Sequence, residues 1–280
     1  MSFGRAAAWR DDETLARAMI AAAPGSAVGY NNLGKAILSR PGGLDRSRFQ
    51  EAEPYFAEAV RIYPEYQGAL ANLGIALSEQ GRHREAVPPL ERVLALRPDY
   101  PGAHFILGMA CFQIRRDAEA LAHLAEALRQ DPDDARLLID YGGILEAIGR
   151  NREARPILLR AVDRAPEDPR ALFNLVLVEL NLGLAQEAAP RVERLLRWLP
   201  RDPGVLVLHG RLLARSADAA AAEAAIREAL AIDPAYAEGW YRLAEVLRGQ
   251  GDAAAGAALA RAAELGHPRL ADPPGSSEDN

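Results

Sequence analysis

Along residues 67–100, apolar and small residues recur at Leu70, Leu73, Ile75, Ala76 and Leu77, the spacing of one buried helical face. Gly81-Arg82 breaks the run, and Ala86, Leu90, Val93 and Leu94 resume it. The stretch therefore predicts two amphipathic helices joined by a tight turn. The same pattern returns along most of the chain. Pro64, Pro98, Pro132, Pro166, Pro200, Pro234 and Pro268 are each separated from the next by 34 residues. With each proline set as position 32, position 20 holds Ala52, Ala86, Ala120, Ala154, Ala188 and Ala222. Position 8 holds Gly34, Gly74, Gly108, Gly142 and Gly210. Glycine and alanine fit where two helices approach closely, and proline stops the second helix before the next begins.

In this periodic spacing the chain resembles the tetratricopeptide repeat family, over Ala27 to roughly Leu270. The resemblance implies an all-α, right-handed superhelical solenoid of tandem helix–turn–helix repeats. The expected repeats are 27–66, 67–100, 101–134, 135–168, 169–202, 203–236 and 237–270. The first is six residues too long, and its extra length falls in Ser39–Phe49, where Pro41-Gly42-Gly43 marks a loop. Residues 1–26 are expected to hold a half-repeat or capping helix, Asp12 to Ala23, ending at Pro24; it is either a cap or a cut edge. Residues 271–280, rich in Pro, Gly, Ser and Asp, are expected to be disordered. Pro54, Pro88, Pro156 and Pro190 share position 22, read as near the start of a second helix, where a missing N–H costs little.

Composition narrows the function. With 280 residues, 49% hydrophobic, the chain can bury a sizeable core. A formal net charge of −6 argues against the broad basic face that nucleic acid requires. No apolar run is long enough to serve as a signal-peptide core or to span a membrane, so a cytoplasmic location without membrane insertion is expected. The near-absence of lysine, with Lys35 alone against many arginines and alanines, reads as the codon bias of a GC-rich bacterial genome. No catalytic, metal or cofactor site is expected. Gly29–Ala36 nearly spells a phosphate-binding loop, but Ala36 replaces the hydroxyl residue and no strand precedes it. His83, His104, His123, His209 and His267 fall at five different repeat positions. Cys111 takes a core position. Glu179 and His209 take core positions in adjacent repeats, where they could bond to each other.

Family resemblance places ligand contacts on the first helices, at positions 2, 5, 6, 9, 12 and 13. Position 6 reads Asn32, Asn72, Ile106, Asp140, Asn174, Leu208 and Arg242. Asparagine there holds extended peptides in relatives, since a carboxamide donates to and accepts from a backbone amide at once. Asn-Leu-Gly is equally plain repeat consensus. The middle of the expected groove is apolar, with Phe105, Met109, Phe112, Ile139, Phe173, Leu177 and Leu180. Positions 4, 7 and 11 already supply the core, so these side chains suit an apolar-faced helix or extended peptide. They could instead pack between repeats. Arg136, Arg170, Arg211, Arg215, Arg242 and Arg248 flank them and favour an acidic ligand segment, or form a solvated face. The two-carboxylate clamp of chaperone-binding relatives is not expected, because Gly102 and Ile106 stand where it needs basic residues.

These readings point to a non-catalytic scaffold whose groove binds a peptide or helix of a partner protein. Trp9–Leu15, followed by Pro24 and Asn31–Gly34, also resembles the junction at which glycosyltransferase-related bacterial membrane proteins pass into repeats. That implies, as an alternative, an accessory module of an envelope machine. A self-assembling homo-oligomer is a third reading. Residues 253–265 form an alanine-rich second helix that buries little area per residue, so the last repeat should be the least stable. Hydrogen exchange should show amides of 237–265 less protected than those of 135–164.

Overall fold

The computed structural model describes residues 3–43, 45–268 and 270. All regular structure among them is helical. After α1 (Phe3–Ala22) the helices run α2 (Ala27–Leu38), α3 (Arg46–Ile62), α4 (Gln67–Glu79), α5 (His83–Leu96), α6 (Ala103–Gln113) and α7 (Asp117–Gln130). They continue as α8 (Ala135–Ala147), α9 (Asn151–Arg164), α10 (Pro169–Asn181), α11 (Ala185–Trp198), α12 (Pro203–Arg215), α13 (Ala219–Ile232), α14 (Ala237–Gln250) and α15 (Ala255–Glu264). The molecule is thus all-α and built of successive helix pairs, as its periodicity predicts. The chain divides into two compact halves, Met1–Leu137 and Leu138–Asn280, the boundary falling inside α8. In the first half α2, α4 and α6 stand side by side; in the second, α10, α12 and α14 do. The stretch 271–280 lies outside the described residues.

Close approach within each helix pair explains the repeated glycine. A Cβ added to Gly74 would sit 2.5 Å from Leu90, one on Gly108 2.8 Å from Leu124, and one on Gly142 2.5 Å from Leu158. Gly34 faces Phe56 and Gly210 faces Ile226 in the same way, at 2.6 Å each. Of the two exceptions at position 8, Val176 and Ala244, Val176 shares its cluster with Val192, smaller than the leucine, isoleucine or phenylalanine that faces the glycines. Ala16 of α1 joins the cluster of Leu33, Ile37 and Phe56, so α1 supplies the packing surface that a preceding second helix would give.

Helices α4, α8, α10, α12 and α14 start directly after position 34, which holds aspartate or tyrosine, whereas α6 starts at Ala103 after Gly102. Asp168 and Asp202 cap α10 and α12 by accepting backbone N–H groups, and Asp134 accepts from Arg136 N at 2.8 Å and Leu137 N at 3.1 Å. Tyr66 and Tyr236 precede α4 and α14 without a side-chain cap. The long first connection is shorter than expected, because α3 starts at Arg46 and buries Phe49 within it. Asp45 caps that helix, and the Arg48 guanidinium donates to the carbonyls of Arg40 and Pro41. Arg40 in turn donates to Glu13 at 2.9 Å and Glu51 at 2.6 Å, tying α1, the loop and α3 together.

Three other expectations need correction. Pro54, Pro88, Pro156 and Pro190 sit inside α3, α5, α9 and α11, past the first turn. Each therefore removes a helical bond from the carbonyl four residues earlier. The prolines and the residues carrying those carbonyls, Gln50, Arg84, Arg152 and Gln186, are all exposed, so water can take the bond. Helix α15 begins at Ala255 rather than 253, and its buried line is Ala255, Ala258 and Ala262. The equivalent line in α5 is Ala86, Leu90 and Val93, which lies one to two repeat positions later. Gly256 at position 20 offers no methyl to the close contact, and the helix turns its neighbouring alanines inward instead. Finally, Glu179 does not bond His209. Its wholly buried carboxylate accepts from Arg191 at 3.1 Å and pairs with Arg155 at 3.5 Å.

Burial holds the Glu179 carboxyl above the usual carboxylate range despite both guanidiniums. A carboxyl whose pKa is higher folded than unfolded favours the fold most when protonated, below about pH 4.3, and loses that contribution as pH rises through the folded value. The stability difference between Glu179→Gln and wild type should therefore move in the variant's favour from pH 4 to pH 7 in thermal melts. A second expectation concerns the turn at position 15, where Gly81, Gly149, Gly183 and Gly251 are left-handed, and so are Arg115 (φ 65°) and Ala217 (φ 60°). A side chain there costs about 1–2 kcal/mol. Against the extra freedom glycine gains when unfolded, Ala217→Gly should still stabilise by about 0.5–1 kcal/mol in chemical denaturation.

Candidate functional site

In the N-terminal half the face of α2, α4 and α6 carries Asn32, Asn72, Phe105 and Met109, all half-buried. The asparagines do not form the expected row alone. Asn72 donates to Asn31 Oδ1 at 2.8 Å, and Asn31, itself buried, donates to the Tyr66 hydroxyl at 3.3 Å. One amide proton of Asn72 is thus committed inside the fold, which fixes the carboxamide's orientation. Phe105 and Met109 line a cavity of about 380 Å³ with Ile106, Gln113, Arg46 and Arg136. The Arg136 guanidinium lies 5.3 Å from the Phe105 ring centroid, a cation–π arrangement. Arg46 donates to the Gln80 carbonyl, which anchors the cavity's far edge. Phe112 is not among the lining residues. It packs against the core cluster of Leu107 and Cys111.

Within the C-terminal half, Phe173 and Asn174 line a second cavity of about 420 Å³ with Arg170, Leu199, Gly204 and Tyr236. Gly204 makes room for the aromatic floor, since a Cβ there would meet Phe173 Cε2 at 3.0 Å. Asn174 leans over Gly143, whose added Cβ would lie 3.1 Å from Nδ2. Arg170 is held by Asp168 at 2.7 Å, and that ion pair keeps the Asp168 carboxyl below its usual range. Burial pushes the Tyr236 hydroxyl up to about 12, so it stays protonated and able to donate. Leu177 is half-buried against the cluster of Leu172, Val176 and Leu180. Asp140 is half-buried.

Ile139 and Leu180, read from sequence as groove residues, are 3% and 1% exposed and belong to the core. Arg242 is corrected too. It is buried, donates to Glu238 at 2.6 Å and Glu245 at 2.7 Å, and lies over Tyr241. Its side chain is committed to the fold, although it borders a third cavity of about 470 Å³ with Arg211, Arg215 and Val246. Arg211 donates to Asn181 Oδ1 at 2.7 Å, and Asn181 donates to Glu146 at 2.9 Å. Burial would raise the Glu238 carboxyl, but the charge of Arg242 and the bond to His267 at 2.6 Å hold it below the ordinary range.

Sequence reasoning missed Tyr66, Tyr236, Gly204 and Arg46. For the tyrosines a signal existed: Tyr66, Tyr100 and Tyr236 each follow a register proline by two residues. Among the described residues, no helix is long and apolar enough to cross a membrane.

Two tetratricopeptide repeat family models match the chain, one over residues 43–101, 71–135 and 207–272 and the other over 118–172. No curated protein matches the sequence. Solved structures do. One is a tetratricopeptide protein from Parabacteroides merdae, with TM-score 0.66 and 18% identity, over 80% of this chain and 89% of the other. Another is YrrB, described as a TPR protein with an unusual peptide-binding site, with TM-score 0.58 and 21% identity, over 70% of this chain and 97% of YrrB. A third is the Cut9–Hcn1 hetero-tetramer of the APC/C, with TM-score 0.60 and 17% identity, over 91% of this chain and 46% of the other. At these identities the likeness concerns the fold. The family models, which together span more than half of the residues, carry the assignment: the chain belongs to the tetratricopeptide repeat family.

Proposed function

We propose that this protein is a non-catalytic scaffold, built as seven repeats over 27–270, that binds a peptide or helix of a protein partner on its first-helix face. The observation that carries the reading is the cavity around Phe105 and Met109, with an arginine stacked on the aromatic ring. A partly open aromatic floor with planar cations at its edge suits an apolar anchor residue from another chain. The second cavity repeats the design, with Phe173 as floor, Arg170 at the rim and Asn174 offering a carboxamide. Such a carboxamide can bond both the N–H and the C=O of one extended residue. Family membership supports a protein partner, and the peptide-binding site for which YrrB is described supports a peptide as its bound form.

Phe105→Glu and Phe173→Glu place a charge on each floor; Phe173 also packs against the cluster of Leu172 and Val176, so Phe105→Glu alone serves as the variant with the core untouched. Captured from a lysate, a partner held by wild type should bind the double variant at least about tenfold more weakly, since losing a hot-spot aromatic typically costs about 2 kcal/mol or more. Circular dichroism should show equal helicity. A partner retained equally by both proteins would move the site off this face. A mass in light scattering that grows with concentration and drops in the variant would identify the occupant as a second copy of the chain. A captured membrane glycosyltransferase would favour the envelope-module reading.

A further inference from the structure

The α6–α7 hairpin brings together two histidines that lie far apart in the repeat frame. His104 stands in the first turn of α6 and His123 midway along α7, yet their Nδ1 atoms are 2.9 Å apart and their ring centroids 5.1 Å apart. His104 Nε2 lies 3.1 Å from the Pro98 carbonyl. A carbonyl can only accept, so that nitrogen carries the hydrogen and the His104 Nδ1 lone pair points at His123. Neutral His104 is thereby fixed in the tautomer that a metal ligand needs, held by the backbone contact that commonly orients ligating imidazoles.

The spacing fits a particular geometry. Metal–nitrogen bonds of about 2.0–2.1 Å at right angles separate two nitrogens by about 2.9 Å, whereas tetrahedral angles require about 3.3 Å. Right-angled nitrogen pairs belong to square-planar and octahedral ions. We propose that His104 and His123 form a two-imidazole binding site for a divalent transition metal of the copper or nickel type, completed by water. The metal takes the place of the single proton that the pair otherwise shares. On binding, His123 moves its one ring hydrogen from Nδ1 to Nε2 by exchange with water, a change of tautomer with no net proton release.

Surrounding charge is balanced. Glu91 of α5 and Glu119 of α7 act on His123 and both pair with Arg116, and Glu126 of α7, within electrostatic reach of His104, pairs with Arg129. Burial, with His104 adding to it, keeps the His123 imidazole below its ordinary range. Both rings are half-buried on regular helices, which limits the rearrangement needed. This site is independent of the first-helix cavities.

The test is calorimetric titration of the untagged chain with copper(II) and nickel(II), against His104→Asn, His123→Asn and, as a comparator, His83→Asn. Asparagine at 123 still donates to His104 Nδ1, so the hairpin keeps its contact. Wild type and His83→Asn should bind one copper equivalent at least about tenfold more tightly than either site variant. Electron paramagnetic resonance of the wild-type copper complex should show two equivalent nitrogen couplings, a reading that needs no variant to fold. Equal affinity in wild type and both site variants, a one-nitrogen spectrum, or no binding by wild type would each overturn the proposal.

Discussion

The structure depends on one contact made again and again: a residue without a side chain on the first helix of a pair, pressed by a branched or aromatic residue on the second. Gly34 under Phe56, Gly74 under Leu90, Gly108 under Leu124, Gly142 under Leu158 and Gly210 under Ile226 are the same contact. It draws the helices close enough to bury the small residues at position 20 beside it, as with Ala86, Ala120 and Ala154. Volume is conserved across the pair rather than at one position. Where valine replaces glycine at 176, the opposing residue shrinks to Val192. In the last pair Ala244 replaces the glycine, and α15 shifts its inward line so that Ala255 and Ala258 share the cluster with it.

That economy is why the fold was legible in sequence. Proline, glycine and alanine recur at fixed spacing because each answers a steric demand made by the hairpin itself. Side chains that answer demands between hairpins are less legible. Ile139 and Leu180 look like surface positions in the repeat frame, yet they are covered, since the frame fixes a residue's place on its own helix and leaves its neighbours' bulk unspecified. His104 and His123 are 19 residues apart and share no register, and they meet only because α6 and α7 run antiparallel. Of the candidate site, Phe105 with Met109 and Phe173 with Asn174 line common cavities, as neighbouring positions on one helix face imply. Tyr236, which completes the second cavity, lies at position 34, outside the positions that the repeat frame gives to ligand contacts, and Gly204, at one of those positions, has no side chain to draw notice.

Buried charge is handled differently in its two main sites. Glu238 and Arg242 lie one turn apart on α14, and with Glu245 and His267 they form a network in which cations outweigh burial. Glu179 faces two guanidiniums from α9 and α11 and still bears the cost of desolvation, with Oε1 left without a hydrogen bond. The first arrangement spends its charges on closing the last helix pair. In the second, one carboxylate on α10 is shared between guanidiniums of α9 and α11.

The prolines inside α3, α5, α9 and α11 have a consequence for assembly. Each leaves a carbonyl without its helical N–H on an exposed residue of a second helix, where water can satisfy it. A surface pressed flat against these residues would strip the water away and strand the carbonyl, at about 1–3 kcal/mol for each one. The second helices therefore carry a built-in hydration requirement that works against sheet-like stacking of copies through their backs. Whatever docks tightly meets less resistance on the first-helix side, where the backbone is closed and the variable side chains do the recognising.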